Sequence, residues 1–596
     1  MQKSNVKAQG ASVRRKGNSA RSKEVIKEKE ESRTFTYGKV NSMINIDMPV
    51  KISFLGGLNE VGKNMTLYAY GDDMFLVDCG LAFPDTEMFG VDFVIPDFTF
   101  VERNADKIKG IVITHGHEDH IGGLIYLLNV INVPVYATKL TAGLINGKLA
   151  ENRTNSVTVN VVSPGDVLDL GEFKVELIKV NHSIPDSVAL AIRCKAGLII
   201  QTGDFKIDTN PIDGEMINLS RFATLGEEGV LCMLSDSTNA ENPGYSQSES
   251  KVGDSFANLF TRAGSRRIII ATFASNIHRI QQIINIAHIT GRKVALSGRS
   301  IENVVGIAAQ LGYLEIPEGV LIGIDMIKQY SDEELVIITT GSQGETMSAL
   351  SRMSMGEHRR VEIGEEDYII ISAKPIPGNE KTVYKVINDL MRLGAEVIYE
   401  KMYDVHVSGH ACQEELKLLI SLVKPEYFIP VHGEQKHLRK HAALAESVGI
   451  PKENILITDN GREVSISSEG IFITGSVPAG GVFVDGYGVG DVGNVVMRDR
   501  RHLGMDGIII VSAAVDASSG ELLSGPEVFS RGFIYVRESE ELIGEATRRA
   551  ASIIESFPPY SFDGMAMKSK IKDEVSKLMY EKTKRSPMVL AIVLEV

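Results

Sequence analysis

The stretch Thr114-His115-Gly116-His117-Glu118-Asp119-His120 places three histidines and an aspartate within six residues. Neutral imidazole and carboxylate are the ligands that suit zinc or a similar divalent ion. A turn that follows a strand can point His115 and His117 one way and Asp119 and His120 another, so one loop can open two adjacent metal sites. One loop cannot close both. Among the chain's 13 histidines, His182 ends the apolar run FKVELIKVNH, and Asp204 ends LIIQTGD 22 residues later. Each alone reads equally well as a turn residue; together with the loop they supply a third imidazole and a carboxylate able to bridge. Asp78, at the end of MFLVDCG, is placed to hold a ligand imidazole or a water. Two divalent ions ~3.5–4 Å apart generate a nucleophile from water at neutral pH and neutralise charge on a phosphoryl group, which points to hydrolysis.

These residues need a scaffold. Between 51 and 138, KISFLGG, MTLYAYG, MFLVDCG, GIVITHG and VPVYAT are short apolar runs bounded by Gly or Asp, which read as strands. Ile121–Ile131 has helical length. FKVELIKVNH and SVALAIRCKAGLIIQTGD continue the strands, and the whole implies an α/β sandwich. From about 250, IIIATFAS, KVALSG, LVIITTGSQG and YIIISAKPIPG alternate with helical stretches such as His278–Ile289 and Val383–Leu393. That alternation predicts a doubly wound parallel sheet with ligand-binding loops at the strand ends. Further helices are expected over Gln413–Leu422 and Lys436–Val448, with a strand YFIPVHG between them. Residues 480–505 are Gly-rich and then basic, and read as a connector. Residues 506–596 read as a small α/β unit: strands GIIIVSAAV, GFIYVR and MVLAIVLEV, and helices Glu541–Ser556 and Lys570–Thr583.

The 596 residues carry a net charge of -14, which taken alone argues against a nucleic-acid partner. The charge is uneven: residues 1–34 hold ten Lys/Arg against four Glu, and read as a disordered tail able to touch RNA or a ribosome. No apolar run reaches membrane-spanning length, so no membrane is expected. The four cysteines are scattered, which fits a reducing cytoplasm. No Gly-rich loop matches the phosphate-loop pattern GxxxxGKS/T, so no nucleotide cofactor is expected.

HGHEDH, preceded by Asp78 and followed by His182 and Asp204, resembles the metallo-β-lactamase superfamily. The resemblance implies one metal on His115, His117 and His182, a second on Asp119 and His120, and Asp204 bridging as in the phosphodiesterase branch. Downstream, SDSTNAE (Asp236), HVSGHA (His410) and PVHGE (His432) resemble the β-CASP nucleases. In that family His432 completes the second metal site, and His410, supported by Asp236, protonates the leaving oxygen. GGLNEVGKNM, FPDTEMFGVDFVIPD, TFASNIHR and TTGSQGE are similar to the bacterial ribonuclease J family over nearly all of 46–596. The implied architecture is a metallo-β-lactamase αββα sandwich at 46–248 and 418–489. A doubly wound parallel-sheet β-CASP domain is inserted at 249–417. A linker (490–505) and a small C-terminal α/β domain (506–596) follow, and a basic tail (1–45) precedes them.

The same resemblance implies a ribonuclease that trims 5′-monophosphorylated RNA from 5′ to 3′ and also cuts internally, in RNA maturation and mRNA decay. Two divalent ions, zinc or manganese, would serve it, in a homodimer or homotetramer associated with a ribosome or a degradation complex. Ser275 and Asn276 precede a helix whose first amides suit a phosphate. Family likeness extends the nucleotide contacts over Ser275, Asn276 and Ile277 and over His406, Val407, Ser408, Gly409 and His410. It also suggests a structural calcium shared by Asp92 and Asp485, both of which read equally well as turn carboxylates. A β-CASP DNA nuclease and a ribosome- or degradosome-associated RNA-binding subunit are the alternatives. A thioester hydrolase sharing HxHxDH would not need the 205 residues between Asp204 and His410.

Overall fold

A computed structural model describes residues 48–85, 87–152, 157–343, 348–376, 379–535, 539–558 and 563–596. The tail expected over 1–45 lies outside the described residues. The Gly-bounded apolar runs form two facing sheets. The first has eight strands, in the order 470–476, 462–467, 50–56, 65–70, 73–77, 108–112, 135–137, 159–161. The second has six, in the order 427–431, 232–236, 197–201, 188–194, 173–179, 167–170. Side chains alternate across a strand, so every second residue of these runs meets the opposite sheet. Ile52, Phe54, Tyr68, Phe75 and Val77 thus pack on Phe173, Val175, Leu190, Ile199 and Ile429. Tyr68 stacks on Phe75 with centroids 5.1 Å apart, and Phe75 meets Phe173 edge-on at 5.0 Å. Outside the second sheet, helices Leu219–Glu228, Gln413–Val423 and Gln435–Ser447 bury Phe222, Leu225, Leu416, Leu419, Ile420 and Leu444.

The chain leaves the second sheet after Asp236 and rejoins it, parallel, at Tyr427–Val431. Between them stands a six-stranded, wholly parallel sheet, ordered 321–322, 293–297, 335–339, 267–271, 367–371, 396–398. Both of its faces are covered, which is why its strands read as continuous apolar runs. Ile268, Ile270, Val294 and Ile338 face helices Ser250–Ala263, Ile277–Ile289 and Arg299–Leu311. Ile269, Ala271, Ile337 and Ile369 face Ala349–Ser354 and Glu380–Arg392. In the C-terminal unit, helices Glu540–Glu555 and Gly564–Thr583 cover one face of the sheet 522–531, 508–515, 588–595. No helix among the described residues is long and apolar enough to cross a membrane.

Three expectations change. The helix over Ile121–Ile131 is two short helices, Glu118–Ile121 and Leu124–Leu127, broken at Gly122 and Gly123. A Cβ on Gly123 would lie 3.2 Å from the Cys79 carbonyl oxygen and sulfur, so the glycines let this segment lie against the chain that follows strand 73–77. The connector read over 480–505 is ordered: Gly481–Asp485 pairs with Phe93–Pro96, and Asn494–Asp506 is a helix. In the C-terminal unit the middle segment GFIYVR is not a strand in its described part; Leu522–Arg531 is, paired with Ile508–Val515.

The contact between residues 79–81 and the histidine loop is tight. Cys79 N–H donates to the His120 carbonyl (2.8 Å), Leu81 N–H to that of Glu118 (3.0 Å), and Gly123 N–H to that of Cys79 (2.9 Å). A Cβ on Gly80 would overlap the Asp119 carbonyl. Gly80→Ala is therefore expected to destabilise the fold by about 1–3 kcal/mol through overpacking and to weaken metal uptake, because relief requires Asp119 and His120 to move. Thermal unfolding and metal analysis of the variant check this; wild-type values for both would show that the loop is not held by this contact.

Candidate metal centre

His115 to His120 run from the end of strand Ile108–Val112 into the helix Glu118–Ile121, with His117 at the N-cap position in an extended conformation. His115 is fully buried. His182 and Asp204 lie a few residues beyond strands Phe173–Lys179 and Gly197–Gln201, and His432 directly follows Tyr427–Val431. All seven candidate ligand residues fall in two groups. In the first, His115 Nε2 and His182 Nε2 each lie 3.1 Å from His117 Nδ1. In the second, His120 Nε2 is 3.3 Å from Asp204 Oδ2 and 3.6 Å from Asp119 Oδ2, and His432 is 3.3 Å from Asp119 and 3.2 Å from Asp204. Asp204 Oδ2 also stands 3.7 Å from His115 and 3.9 Å from His182, so one carboxylate faces both groups.

This donor set fits two divalent cations. His432 Nε2 is buried and has no hydrogen-bond partner, despite its approach to Asp119. Two imidazole nitrogens crowd His117 Nδ1, which as an acceptor can satisfy only one of them. Nitrogen and carboxylate oxygen at this density suit zinc or manganese.

The electrostatics point the same way. Burial lowers the affinity of His120 and His432 for a proton, but Asp204 and its neighbouring carboxylates outweigh it and raise both well above the usual imidazole range. Burial pushes the Asp204 carboxyl up, yet His432 and His120 hold it well below the carboxylate range. Burial takes His117 down to about 4, and it also lowers His115 and His182. The carboxylates that draw protons onto His120 and His432 create the negative potential that attracts a divalent cation.

Asp78 lies against His120 and Thr114. Its Oδ2 accepts from His120 Nδ1 (2.8 Å) and Thr114 Oγ1 (2.9 Å), and its Oδ1 from Thr114 N–H (2.8 Å). Asp78 and His432 both sit at positive φ, +61° and +53°, a costly backbone for a non-glycine residue. His410 Nδ1 donates to Asp236 Oδ2 at 2.8 Å, and its ring lies 5.0 Å from that of His182. Burial opposes protonation of His410, but Asp236 outweighs it and the balance is raised. His410 and Asp119, 20% and 29% exposed, open toward solvent, whereas Asp204 and Asp236 are buried.

Four supporting residues have no role assigned to them from the sequence, although each lies inside one of the motifs quoted above. Thr114 carries Asp78, as above. Asn64 Nδ2 donates to the Asp119 carbonyl (3.1 Å) and approaches His120 Nε2 (3.0 Å). Thr238 Oγ1 donates to Asp236 Oδ1 (2.8 Å) and lies 3.0 Å from His432 Nδ1. Asn239 Nδ2 donates to Ser408 Oγ (2.8 Å) and the His410 carbonyl (2.9 Å). The only sequence signal for the last two was their place inside SDSTNAE.

The residues expected to hold substrate divide. Along 405–410, Val405, Val407 and Gly409 are buried, while His406, Ser408 and His410 are half-buried on the other side of the segment. The Gly409 carbonyl accepts from His182 Nδ1 (2.7 Å), and a Cβ there would lie 2.7 Å from that ring. This segment thus orients the His182 ring. Asn276 caps helix Ile277–Ile289, its side-chain oxygen accepting from Arg279 N–H. Ile277 is fully buried, so only its backbone could meet a ligand. Asp92 and Asp485 lie beside each other at the pairing of 93–96 with 481–485, but both carboxylates have protein partners. Gly486 N–H donates to Asp92 (2.8 Å) and Arg500 to Asp485 (2.5 Å). No third ligand type joins them among the described residues.

Four family models match the chain. Residues 58–210 match the metallo-beta-lactamase superfamily, 265–390 the ribonuclease J beta-CASP domain, 394–456 the Zn-dependent metallo-hydrolase RNA specificity domain, and 495–596 the ribonuclease J C-terminal domain. The chain is 43% identical over 549 residues to ribonuclease J2 of Bacillus subtilis (strain 168), covering 92% of this chain and 99% of that protein. It is 43% identical over 557 residues to ribonuclease J 1 of Streptococcus pyogenes serotype M3, covering 93% and 99%. To ribonuclease J of Synechocystis sp. it is 42% identical over 556 residues, covering 91% and 86%.

Proposed function

Since the chain belongs to the ribonuclease J family and is a metal-dependent ribonuclease, we propose that it removes nucleotides from 5′-monophosphorylated RNA ends, 5′ to 3′, and also cuts RNA internally. The observation that carries this reading is the Asp236–His410 pair beside Asp204. His115, His117 and His182 would hold one ion; Asp119, His120 and His432 the other; Asp204 both. When bound, the two ions activate water and neutralise charge on the scissile phosphate. The remaining steps belong to the chain. Asp78 fixes the His120 ring, and the Gly409 carbonyl fixes that of His182. Asp236 accepts a hydrogen bond from the Nδ1–H of His410, so the proton on Nε2 is the one free to pass to the leaving 3′-oxygen. Cleavage on that side leaves a 5′-phosphate on the downstream product, which is again a substrate.

Zinc is the expected ion, with manganese able to replace it in the same N/O set. The proposed domain limits are a sandwich over 46–248 and 418–489, an insert over 249–417, a linker over 490–505 and a C-terminal unit over 506–596. A second copy of the chain is the expected partner, through the open face of the C-terminal sheet, where Phe529, Leu590, Ile592 and Leu594 are 37–55% exposed. A role in RNA maturation and mRNA decay, alone or with a ribosome or degradation complex in the cytoplasm, suits such an activity. The test is product mapping on one RNA carrying a 5′-monophosphate, a 5′-triphosphate or a 5′-hydroxyl, beside single-stranded DNA of the same sequence. The expected result is mononucleotide release fastest from the monophosphate and little cutting of DNA. Equal rates at all three ends would remove the 5′-end reading.

A further inference from the structure

Arg279 is the largest fully buried side chain of the described residues, and its guanidinium spends its donors in three directions. Nε and Nη2 form a two-point pair with Glu249 (2.8 and 2.9 Å). Nη1 donates to the Ser372 carbonyl (2.8 Å) and lies 3.2 Å from His406 Nδ1. A guanidinium has no acceptor, so at this contact the imidazole nitrogen accepts and the ring proton sits on Nε2. Ser372 in turn donates from Oγ to the Val405 carbonyl (2.6 Å). Arg279 therefore ties the segment at two points, through the backbone before His406 and through the ring itself. His406 shares its half-buried side with Ser408 and His410.

An ion pair at this depth adds little net stability over apolar residues of similar size. What a planar, five-donor group adds is direction. We propose that Arg279, anchored by Glu249, is a positioning residue that fixes the His406 ring with its Nε2–H turned to the phosphate of a bound RNA end. The inference rests on the reading of 406–410 as a 5′-phosphate pocket, and it assigns the pocket's donor geometry to a residue outside it.

The test measures kcat and KM on RNA carrying a 5′-monophosphate or a 5′-hydroxyl, with variants His406→Ala, Arg279→Lys and the pair Arg279→Met with Glu249→Leu. The paired change leaves no buried charge alone. Lysine keeps the charge opposite Glu249 but has no second arm for His406. Near-ultraviolet circular dichroism and metal content report the fold of each variant. The expected result is a rise in KM of about tenfold on the 5′-monophosphate RNA in all three variants, with kcat in the two Arg279 variants within about twofold and the 5′-hydroxyl RNA little affected. A raised KM in His406→Ala with wild-type KM in both Arg279 variants would overturn the positioning role and leave the pocket standing. An unchanged KM in His406→Ala would overturn the pocket reading, and the inference with it.

Discussion

Asp204→Ala is expected to abolish RNA cleavage while leaving the protein folded. Among the described residues Asp204 is the one carboxylate that faces both groups, 3.3 Å from His120, 3.2 Å from His432 and 3.7 Å from His115. Its loss removes the ligand that both cations would share. Two-metal stabilisation of a phosphoryl transition state is worth several kcal/mol, so the expected fall in kcat is on the order of 10⁴-fold or more. The fold should survive, because Asp204 follows its strand and the core of both sheets lies elsewhere. Metal analysis should find fewer than two equivalents per chain, and added zinc or manganese should not restore the rate. Wild-type turnover by a folded Asp204→Ala variant would show that the site has been assigned to the wrong residues.

His410→Ala is expected to act on a different step. General acid catalysis contributes about 10²–10⁴-fold, and the loss should appear in kcat with the metal content unchanged. The diagnostic comparison uses the leaving group. A p-nitrophenyl phosphodiester expels an anion that needs no proton, so the variant should lose far less rate on it than on RNA. Equal losses on both would mean that His410 does not donate the proton. Asp236→Asn should give a smaller loss of the same kind, because Asp236 orients the ring and raises its proton affinity without touching the leaving oxygen.

Much of the site is legible in the amino-acid sequence. HGHEDH, His182, Asp204, Asp236, His410 and His432 meet at one place, and the apolar alternation after residue 250 becomes a parallel sheet covered on both faces. What does not show there is local detail governed by distant partners. Ile121–Ile131 has the apolar content of one helix, but Gly122 and Gly123 pack on residues 79–81, and that contact splits it. The 480–505 segment looks like a connector because its glycines have no pattern; pairing with 93–96 orders it. Asp92 and Asp485 stand out as a pair of carboxylates, but the Arg500 and Gly486 donors that serve them do not.

The sequence by itself determined the donor chemistry and its order along the chain. Metal ligands are few residue types, and a dense cluster of them after a buried strand has little other use. The tertiary structure alone decided how those donors are held. Thr114, Asn64, Thr238, Asn239 and Arg279 are ordinary polar residues whose roles exist only through partners brought close by the fold, as in the 127-residue separation of Arg279 from His406. A hydrogen bond or ion pair depends on distances of about 3 Å, and spacing along a chain carries no information at that scale once two sheets and an inserted domain lie between the partners.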